Sequence, residues 1–359
     1  MRRRRLRELV PSLVCGLMIA SSVSGWAQTL GFVGKSGNDA LRAFDLATGM
    51  SVGGDIDLLP GGDYPYDATI KPDGSELWIP GAVGDGVIVI DAVAPAVIDS
   101  IDLTGQAEYP VDLIFGPCGS RAFAASRDHE VVAVIDTATH DVVTTVPIAT
   151  DFLGAGKMAV SAARNELYVV DWFGPLLSTV DLDSLASSDV ALGDSFWDLV
   201  ISLDEDTLYV TDRGTDQVRV VEIDTMTVTT NVAVGDDPWG IDITPDGATV
   251  VVASEDDQTV TIFDTATLTP QTINLPADSN PRDVEIRSDG VFAYVPSGTV
   301  AGNDLIYVID IAAATVVDTI DAGEADTNVV AVRPQPDSCG LFADGFESGD
   351  LSAWDTSVP

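Results

Sequence analysis

The sequence predicts an all-β chain, a seven-bladed β-propeller of four-stranded blades whose first blade is closed by a C-terminal strand. The first observation is an apolar strand ending in aspartate that occurs seven times, at steps of 46, 45, 45, 43, 40 and 46 residues. The second is a tight turn and a further strand ahead of each later copy. A period in the forties with strand-like content is typical of propeller arrays. The repeated aspartates are Asp45, Asp91, Asp136, Asp181, Asp224, Asp264 and Asp310.

Each unit reads as four short strands joined by turns. Turns such as Pro72-Asp73-Gly74 and Pro245-Asp246-Gly247 open the second strand, because proline fixes φ at the first corner and glycine supplies a positive φ. Alternating apolar residues then mark the strands. In the sixth unit, we predict strands over 239–244, 249–254, 259–264 and 271–275.

The two ends of the repeat complete each other. The first unit, 31–59, has three strands and no preceding Pro-Asp-Gly strand, whereas an unpartnered strand, 328–334, follows the last complete unit. We therefore place that strand innermost in the first blade, where it removes an open sheet edge.

The repeat resembles a known family. The units PDGSELWIPGAVGDGVIVIDAVAPAVIDSIDL and TPDGATVVVASEDDQTVTIFDTATLTPQTINL look like the YVTN-type repeats of bacterial YncE-like seven-bladed propellers, whose wider relatives include lactonase-like propellers. The likeness spans residues 30 to 337 and implies the fold. It implies little about activity, since propellers support binding, scaffolding and several chemistries.

The chain divides into a signal peptide (1–27), the propeller (28–337) and a C-terminal tail (338–359). The signal is predicted from an arginine-rich start, an apolar stretch and a small-x-small cleavage site at Gly25-Trp26-Ala27. We expect export to the periplasm, the cell surface or the medium. The tail resembles the ending FADGFESGDLSAW of many secreted bacterial proteins, and either serves as a recognition tag or docks Phe342, Phe346 and Trp354 on the propeller.

The charge restricts the partners. The formal net charge is −40, and removal of 1–27 leaves 12 basic and 56 acidic residues, a net charge of −44. Such a surface repels nucleic acid and anionic membranes, and no other stretch could span a bilayer. We expect a monomer that binds a protein, a glycan or a small ligand.

Two cysteines, Cys118 and Cys339, remain after processing. In an oxidising compartment an even number can pair, and a bridge would tie the tail to the third blade near the ring closure. Two unpaired or intermolecular thiols are the alternative.

Nucleophile and redox motifs are missing from the sequence. The two histidines, His129 and His140, lie in polar stretches of one blade, and lack the further nitrogen or sulfur ligands that a zinc site needs. We expect solvated loop positions for both.

The strongest candidate site comes from aligning the innermost strands. Equivalent positions of a closed ring face one level of the central funnel, and carboxylates with one ammonium occupy most of them. Aromatic side chains flank that level, as in small-ligand sites. The aligned residues are Asp67, Asp112, Lys157, Asp198, Gly240, Asp283 and Val329, with Asp242 and Glu285 two positions further and Tyr66, Tyr109, Trp197 and Trp239 as an aromatic rim.

Three interpretations of this ring stay open. One is non-enzymatic binding on one face of the ring, with or without a bound Ca²⁺, which takes six to eight oxygen ligands. The second is a metal-assisted, lactonase-like hydrolase in the funnel. The third is that the aspartates only cap strand turns and accept hydrogen bonds from backbone amides between blades.

Overall fold

The computed structural model describes residues 30–35, 40–45, 50–58, 67–81, 84–92, 96–150, 154–299, 304–323 and 327–330. Within these ranges the regular structure is entirely β, and the strands form seven antiparallel sheets. The predicted seven-bladed propeller of four-stranded blades is therefore confirmed.

The first blade joins the two ends of the described chain. Its sheet order is β29-β1-β2-β3, and β29 pairs antiparallel with β1 through Phe32 opposite Val330 and Lys35 opposite Thr327. The predicted closing strand thus occupies the innermost position and covers the inner edge of β1. The strands are β1 (Leu30–Lys35), β2 (Ala40–Asp45), β3 (Met50–Asp57) and β29 (Thr327–Val330).

The second, third and fourth blades each run from the centre of the ring outwards in chain order. The second consists of β4 (Thr69–Ile70), β5 (Glu76–Gly81), β6 (Gly86–Asp91) and β7 (Ala96–Asp102). The third consists of β8 (Pro110–Phe115), β9 (Arg121–Ser126), β10 (Val131–Asp136) and β11 (Val142–Pro147). The fourth consists of β12 (Ala155–Ser161), β13 (Glu166–Asp171), β14 (Leu176–Asp181) and β15 (Ser187–Ala191).

The remaining blades repeat this order, except that two short segments share the inner position of the seventh. The fifth consists of β16 (Phe196–Ile201), β17 (Thr207–Asp212), β18 (Gln217–Glu222) and β19 (Thr227–Ala233). The sixth consists of β20 (Pro238–Ile243), β21 (Thr249–Ser254), β22 (Thr259–Asp264) and β23 (Pro270–Asn274). The seventh consists of β24 (Ser279–Pro281), β25 (Glu285–Ile286), β26 (Phe292–Thr299), β27 (Asp304–Asp310) and β28 (Thr315–Gly323).

The core lies between neighbouring blades. The second and third strands of a blade are apolar on both faces and buried, whereas the outermost strand exposes most of its residues. Trp78 of the second blade is fully buried and packs with Phe115 of the third at a ring-centroid distance of 5.3 Å. Because each blade buries both faces against its neighbours, the fold depends on ring closure.

The turns into the second strands follow the predicted chemistry. Gly74 and Gly247 have φ of 73° and 71°. The fifth blade has Glu205 at the equivalent place with φ 56°, and the fourth has Asn165 one residue later with φ 55°. The fourth and fifth blades thus keep a left-handed backbone conformation in this turn although they lack glycine. A residue with a side chain is less favourable in that conformation than glycine.

Cys118, in the corresponding turn of the third blade, is disulfide-bonded. The other two cysteines of the chain, Cys15 and Cys339, both lie outside the described residues, so the pairing of Cys118 with Cys339 stays a prediction. The signal peptide and the tail lie outside them too. The described residues contain no helix that could cross a bilayer.

Candidate functional site

Five of the seven blades place a charged residue at the same level of the central funnel, namely Asp67, Asp112, Lys157, Asp198 and Asp283. In β8, β12 and β16, the antiparallel register with the next strand shifts at this level, around Asp112, Lys157 and Asp198. Such a bulge bends the strand and redirects a side chain. The local irregularity therefore turns these groups towards the ring axis while the rest of the strand stays paired.

Lys157 lies among the carboxylates. Its Nζ is 3.1 Å from Asp112 Oδ1 and 3.5 Å from Asp67 Oδ1. The Asp112 side chain is 5% exposed, against 20% for Lys157 and 22% for Asp67. An ammonium group at this place supplies the positive charge that clustered carboxylates need when water is largely excluded.

The same carboxylates also join neighbouring blades. The backbone N–H of Met158 donates to Asp112 Oδ2 at 2.8 Å, from the third blade to the fourth. Asp198 Oδ2 accepts from the N–H of Ile241 at 3.2 Å, between the fifth and sixth blades. These bonds correspond to the interpretation in which the aspartates hold backbone amides between blades.

Asp242, two positions further along its strand, makes the equivalent bond between the sixth and seventh blades. Its Oδ2 accepts from the N–H of Ile286 at 2.8 Å. The aligned position of the sixth blade is Gly240, whose N–H donates to the carbonyl of Arg282. A Cβ on Gly240 would lie 2.5 Å from Asp283 Cα, so the seventh blade approaches too closely for a side chain.

Burial changes the acid–base behaviour of the funnel. It raises the pKa of Asp198 to about 6, against the opposing effects of Lys157 and two backbone amides. It raises the pKa of Asp283 to about 8, helped by the charges of Asp198 and Asp67 and opposed by Lys157. It also raises the pKa of Asp112 well above the usual range. The funnel thus binds protons near neutral pH.

Burial acts on Lys157 in the opposite direction. Removal from water disfavours the ammonium form, but the charges of Asp67, Asp112, Asp198 and Asp283 outweigh that cost and raise the pKa of Lys157 well above its usual value. Lys157 therefore stays a cation over the whole physiological range.

The funnel carboxylates border a cavity of about 160 Å³. Asp67, Asp112, Asp198, Asp242, Asp283 and Glu285 all line it, together with Lys157. The structure thus brings together every predicted funnel residue that carries a charge. Among the described residues, no group of three or more histidine, cysteine, aspartate or glutamate side chains has an arrangement that would hold a metal ion.

The aromatic rim lies at the face where the inner strands begin and the second strands end. Trp197 and Trp239 are in contact, with ring centroids 4.0 Å apart, and Trp172 meets Trp197 edge-on at 5.2 Å. Tyr109 lies further round the same face. Tyr66, the fourth predicted rim residue, lies outside the described residues.

Arginines that the alignment of the inner strands did not reveal stack on this rim. The guanidinium of Arg127 lies 3.2 Å from the ring centre of Tyr109. That of Arg213 lies 4.2 Å from the ring centre of Trp239, and Arg282 approaches the same ring at 5.0 Å. We call this set the aromatic–arginine belt; it crosses five successive blades and comprises Tyr109, Arg127, Trp172, Phe173, Trp197, Arg213, Trp239 and Arg282.

Each arginine of the belt is paired with a carboxylate. Arg213 makes two parallel bonds to Asp237, at 2.5 and 2.7 Å, and the indole N–H of Trp239 donates to the same carboxylate at 2.9 Å. Although burial opposes ionisation of Asp237, these bonds lower its pKa. Arg127 pairs with Asp128, and Arg282 with Glu255, at 2.7 and 2.6 Å.

The residue that follows each second strand is a further sequence position that indicates part of the belt. Arg127, Trp172, Arg213 and Glu255 each follow the last residue of a second strand, in β9, β13, β17 and β21. They therefore occupy one repeat position, which an alignment of the second strands would have shown.

The two histidines bind different carboxylates. His129 lies 3.3 Å from Glu108, whereas His140 is 2.7 Å from Asp99 and 3.5 Å from Glu76. The His140 side chain is only 16% exposed, because its ring packs edge-on against Trp78. His140 therefore lies in a loop as expected, between β10 and β11, but the expectation that it is solvated is wrong.

Comparison with known proteins gives one sequence match and many fold matches. The family described as "Lactonase, 7-bladed beta-propeller" matches residues 178–272, from β14 to β23, which is roughly a quarter of the chain. No curated protein matches the sequence significantly.

Three solved structures illustrate the fold matches. A protein of unknown function from Desulfotomaculum acetoxidans DSM 771 superposes with a TM-score of 0.73 at 16% identity, over 86% of this chain and 100% of that one. Hydrazine synthase from Kuenenia stuttgartiensis gives 0.65 at 18% identity, over 81% and 93%. The dihydro-heme d1 dehydrogenase NirN, in complex with DHE, gives 0.64 at 14% identity, over 86% and 66%. At these identities the likeness establishes the fold alone: the chain is a seven-bladed β-propeller with a central segment similar to lactonase propellers.

Proposed function

We propose that this protein is a non-enzymatic binding propeller that holds a glycan on the face bearing the aromatic–arginine belt. The observation that carries the proposal is the belt itself, which brings aromatic rings from four successive blades and a stacked arginine from a fifth to the mouth of the funnel. Tyr109, Phe173, Trp197 and Trp239 are partly exposed there. Rings with a few fixed polar groups are typical of ligand sites in propellers and elsewhere.

The charges of the belt favour an uncharged ligand. Arg127, Arg213 and Arg282 are each neutralised by a carboxylate, and the whole chain carries a formal net charge of −40. An anion would be repelled by that field and would find no unpaired guanidinium among these three. A sugar offers apolar ring faces for the indoles and hydroxyls for the paired charges.

The funnel below the belt supports binding better than catalysis. Its carboxylates Asp112, Asp198 and Asp242 already accept backbone N–H groups, and Lys157 lies where a divalent cation would be needed. A bound Ca²⁺ would have to displace that ammonium. We therefore assign the funnel residues a role in holding the ring and the belt in place.

A metal-assisted lactonase is the second candidate, and the family match over residues 178–272 is the observation that favours it. That segment contributes Asp198 and Asp242 to the funnel. In a lactonase, Asp198 and Asp242 would help to hold a divalent ion that would polarise the ester carbonyl, and a neighbouring carboxylate would accept the proton.

We further propose that the chain is exported and cleaved after Ala27, leaving the propeller over 28–337 and the tail. N-terminal sequencing of the protein recovered from its native cells tests this. A mature chain starting at Gln28 in the periplasm or medium is expected, and a cytosolic protein that keeps Met1 would contradict it.

The binding proposal is tested by glycan-array screening of the mature chain, followed by calorimetric titration of the best ligand. Trp239→Ala and Arg213→Ala should each weaken binding by about two- to thirtyfold, since stacking and cation–π contacts contribute about 0.5–2 kcal/mol each. The control is Arg287→Ala, which removes a guanidinium 4.5 Å from Phe292 in the turn between β25 and β26, at the opposite end of the strands.

Two results would overturn the binding proposal. One is binding that responds equally to Arg287→Ala and to Arg213→Ala when both variants keep the wild-type melting temperature. The other is metal-dependent hydrolysis of lactones by the purified protein, lost in Asp198→Asn, which would establish the second candidate instead.

A further inference from the structure

The face opposite the belt carries an apolar opening of the ring. Strands that begin at the belt end here, and their ends border a cavity of about 360 Å³. Ile114, Val160, Ile201 and Leu203 all line it. Leu203 is 68% exposed, the highest value among the large apolar side chains of the described residues. Water therefore contacts a concave apolar surface that a soluble protein normally covers.

A covalent link lies at the edge of this cavity. Pro117 lines it, and the next residue, Cys118, is disulfide-bonded. Within one chain the partner is Cys15 or Cys339, because the chain has three cysteines. Cys15 belongs to the segment that we propose is removed on export, which leaves Cys339 in the mature chain.

We propose that the C-terminal tail covers this apolar opening, with Phe342 and Phe346 in the cavity and a Cys118–Cys339 disulfide holding the tail at its edge. Phe342 follows Cys339 by three residues and Phe346 by seven, so extended chain reaches about 10 Å and about 25 Å from the bridge. Both rings can thus reach a cavity that begins beside Cys118.

The tether also favours this occupant over a free ligand. A short flexible link gives the attached segment an effective concentration in the millimolar range, so an apolar contact with a submillimolar dissociation constant is mostly occupied. Two phenyl rings supply enough apolar area to cover the exposed side chains of the cavity.

The first test is peptide mapping of the native mature protein without reductant. A Cys118–Cys339 cross-linked peptide is expected. Recovery of Cys118 joined to Cys15, joined to a second chain, or as a free thiol would overturn the proposal.

The second test measures how fast chymotrypsin cleaves the tail at Phe342 and Phe346 in the full chain. Leu203→Asp, which places a charge in the cavity, should speed cleavage on the order of tenfold, because an apolar contact of this size is lost. The control is Val143→Asp, which adds the same charge at an apolar residue that is 59% exposed on the outer strand β11.

The third test is hydrogen exchange. Replacing both phenylalanines with serine should speed exchange of the backbone amides over 199–203 and leave those of β11 unchanged. Equal cleavage rates in wild type, Leu203→Asp and Val143→Asp, or unchanged exchange at 199–203, would show that the tail does not occupy the cavity. The outcome does not depend on the ligand proposed for the belt.

Discussion

Replacement of Lys157 by methionine is the sharpest test of how the funnel is built. The change keeps the length of the side chain and removes the ammonium that lies 3.1 Å from Asp112 and 3.5 Å from Asp67. Breaking a buried ion pair by removing one partner typically costs about 3–5 kcal/mol, because the other charge stays buried without compensation. We expect a loss of that order at alkaline pH.

The loss should depend on pH in a defined direction. Lys157 is a cation in the folded and unfolded states throughout the range of interest, so the dependence comes from its carboxylate neighbours. The raised pKa values of Asp198, about 6, and Asp283, about 8, mean that the folded state binds protons that the unfolded state releases. Their contribution to stability is present below the unfolded pKa of about 4 and is lost as pH rises through 6 and 8. Without Lys157 these carboxylates repel one another more strongly, so the variant should lose several times more stability at pH 8.5 than at pH 5.

Urea unfolding at pH 5 and pH 8.5, at constant ionic strength, measures this. Lys71→Met is the matched control, since Lys71 is 15% exposed and its Nζ lies 3.5 Å from a single carboxylate, that of Glu76. It changes the net charge of the chain equally. If Lys157→Met and Lys71→Met lower the unfolding midpoint by the same amount at both pH values, Lys157 does not compensate the funnel carboxylates.

Two further predictions concern the ring. Gly240→Ala should lower the free energy of unfolding by about 1–3 kcal/mol, because the new methyl group would overlap the backbone of Asp283. The control is Gly54→Ala, where nothing lies within 4 Å of the added Cβ. Equal melting temperatures of the two variants would contradict the prediction. Removing 327–359 should abolish cooperative thermal unfolding, since the inner edge of β1 then loses its partner. Removing only 331–359 should leave thermal unfolding cooperative. Similar melting curves for the two truncated chains would argue against closure of the ring through β29.

The architecture could be predicted from the sequence because every blade repeats the same local signals. The strands expected in the sixth blade lie within one residue of β20 to β23, since the Pro-Asp-Gly corner and the terminal aspartate mark both ends of the apolar runs. The fourth blade, whose turn has neither proline nor glycine, keeps its corner through Asn165. Tertiary packing thus imposes a turn that local propensity favours only weakly.

The candidate site was harder to predict. Alignment of the inner strands placed Asp112, Lys157 and Asp198 at one level, and the structure shows that level. The alignment did not show what each carboxylate contacts, because the hydrogen bonds from Met158 and Ile241 cross from one blade to the next. The distance between blades cannot be derived from the length of a sequence repeat. Arg127 and Arg213 follow second strands, so an alignment of first strands alone missed them.

The pairing of β29 with β1 also determines how the ring responds to mechanical force. Because Val330 lies opposite Phe32 and Thr327 opposite Lys35, the chain enters β1 and leaves β29 at the same end of the ladder. A force applied between the N-terminal and C-terminal ends therefore breaks the hydrogen bonds between β1 and β29 one after another, rather than loading them all in shear. A protein anchored through its tail would open at this joint under modest tension, unless the load passes through Cys118 into the third blade. Under the proposed pairing with Cys339, the disulfide at Cys118 would carry that load and protect the joint between β1 and β29.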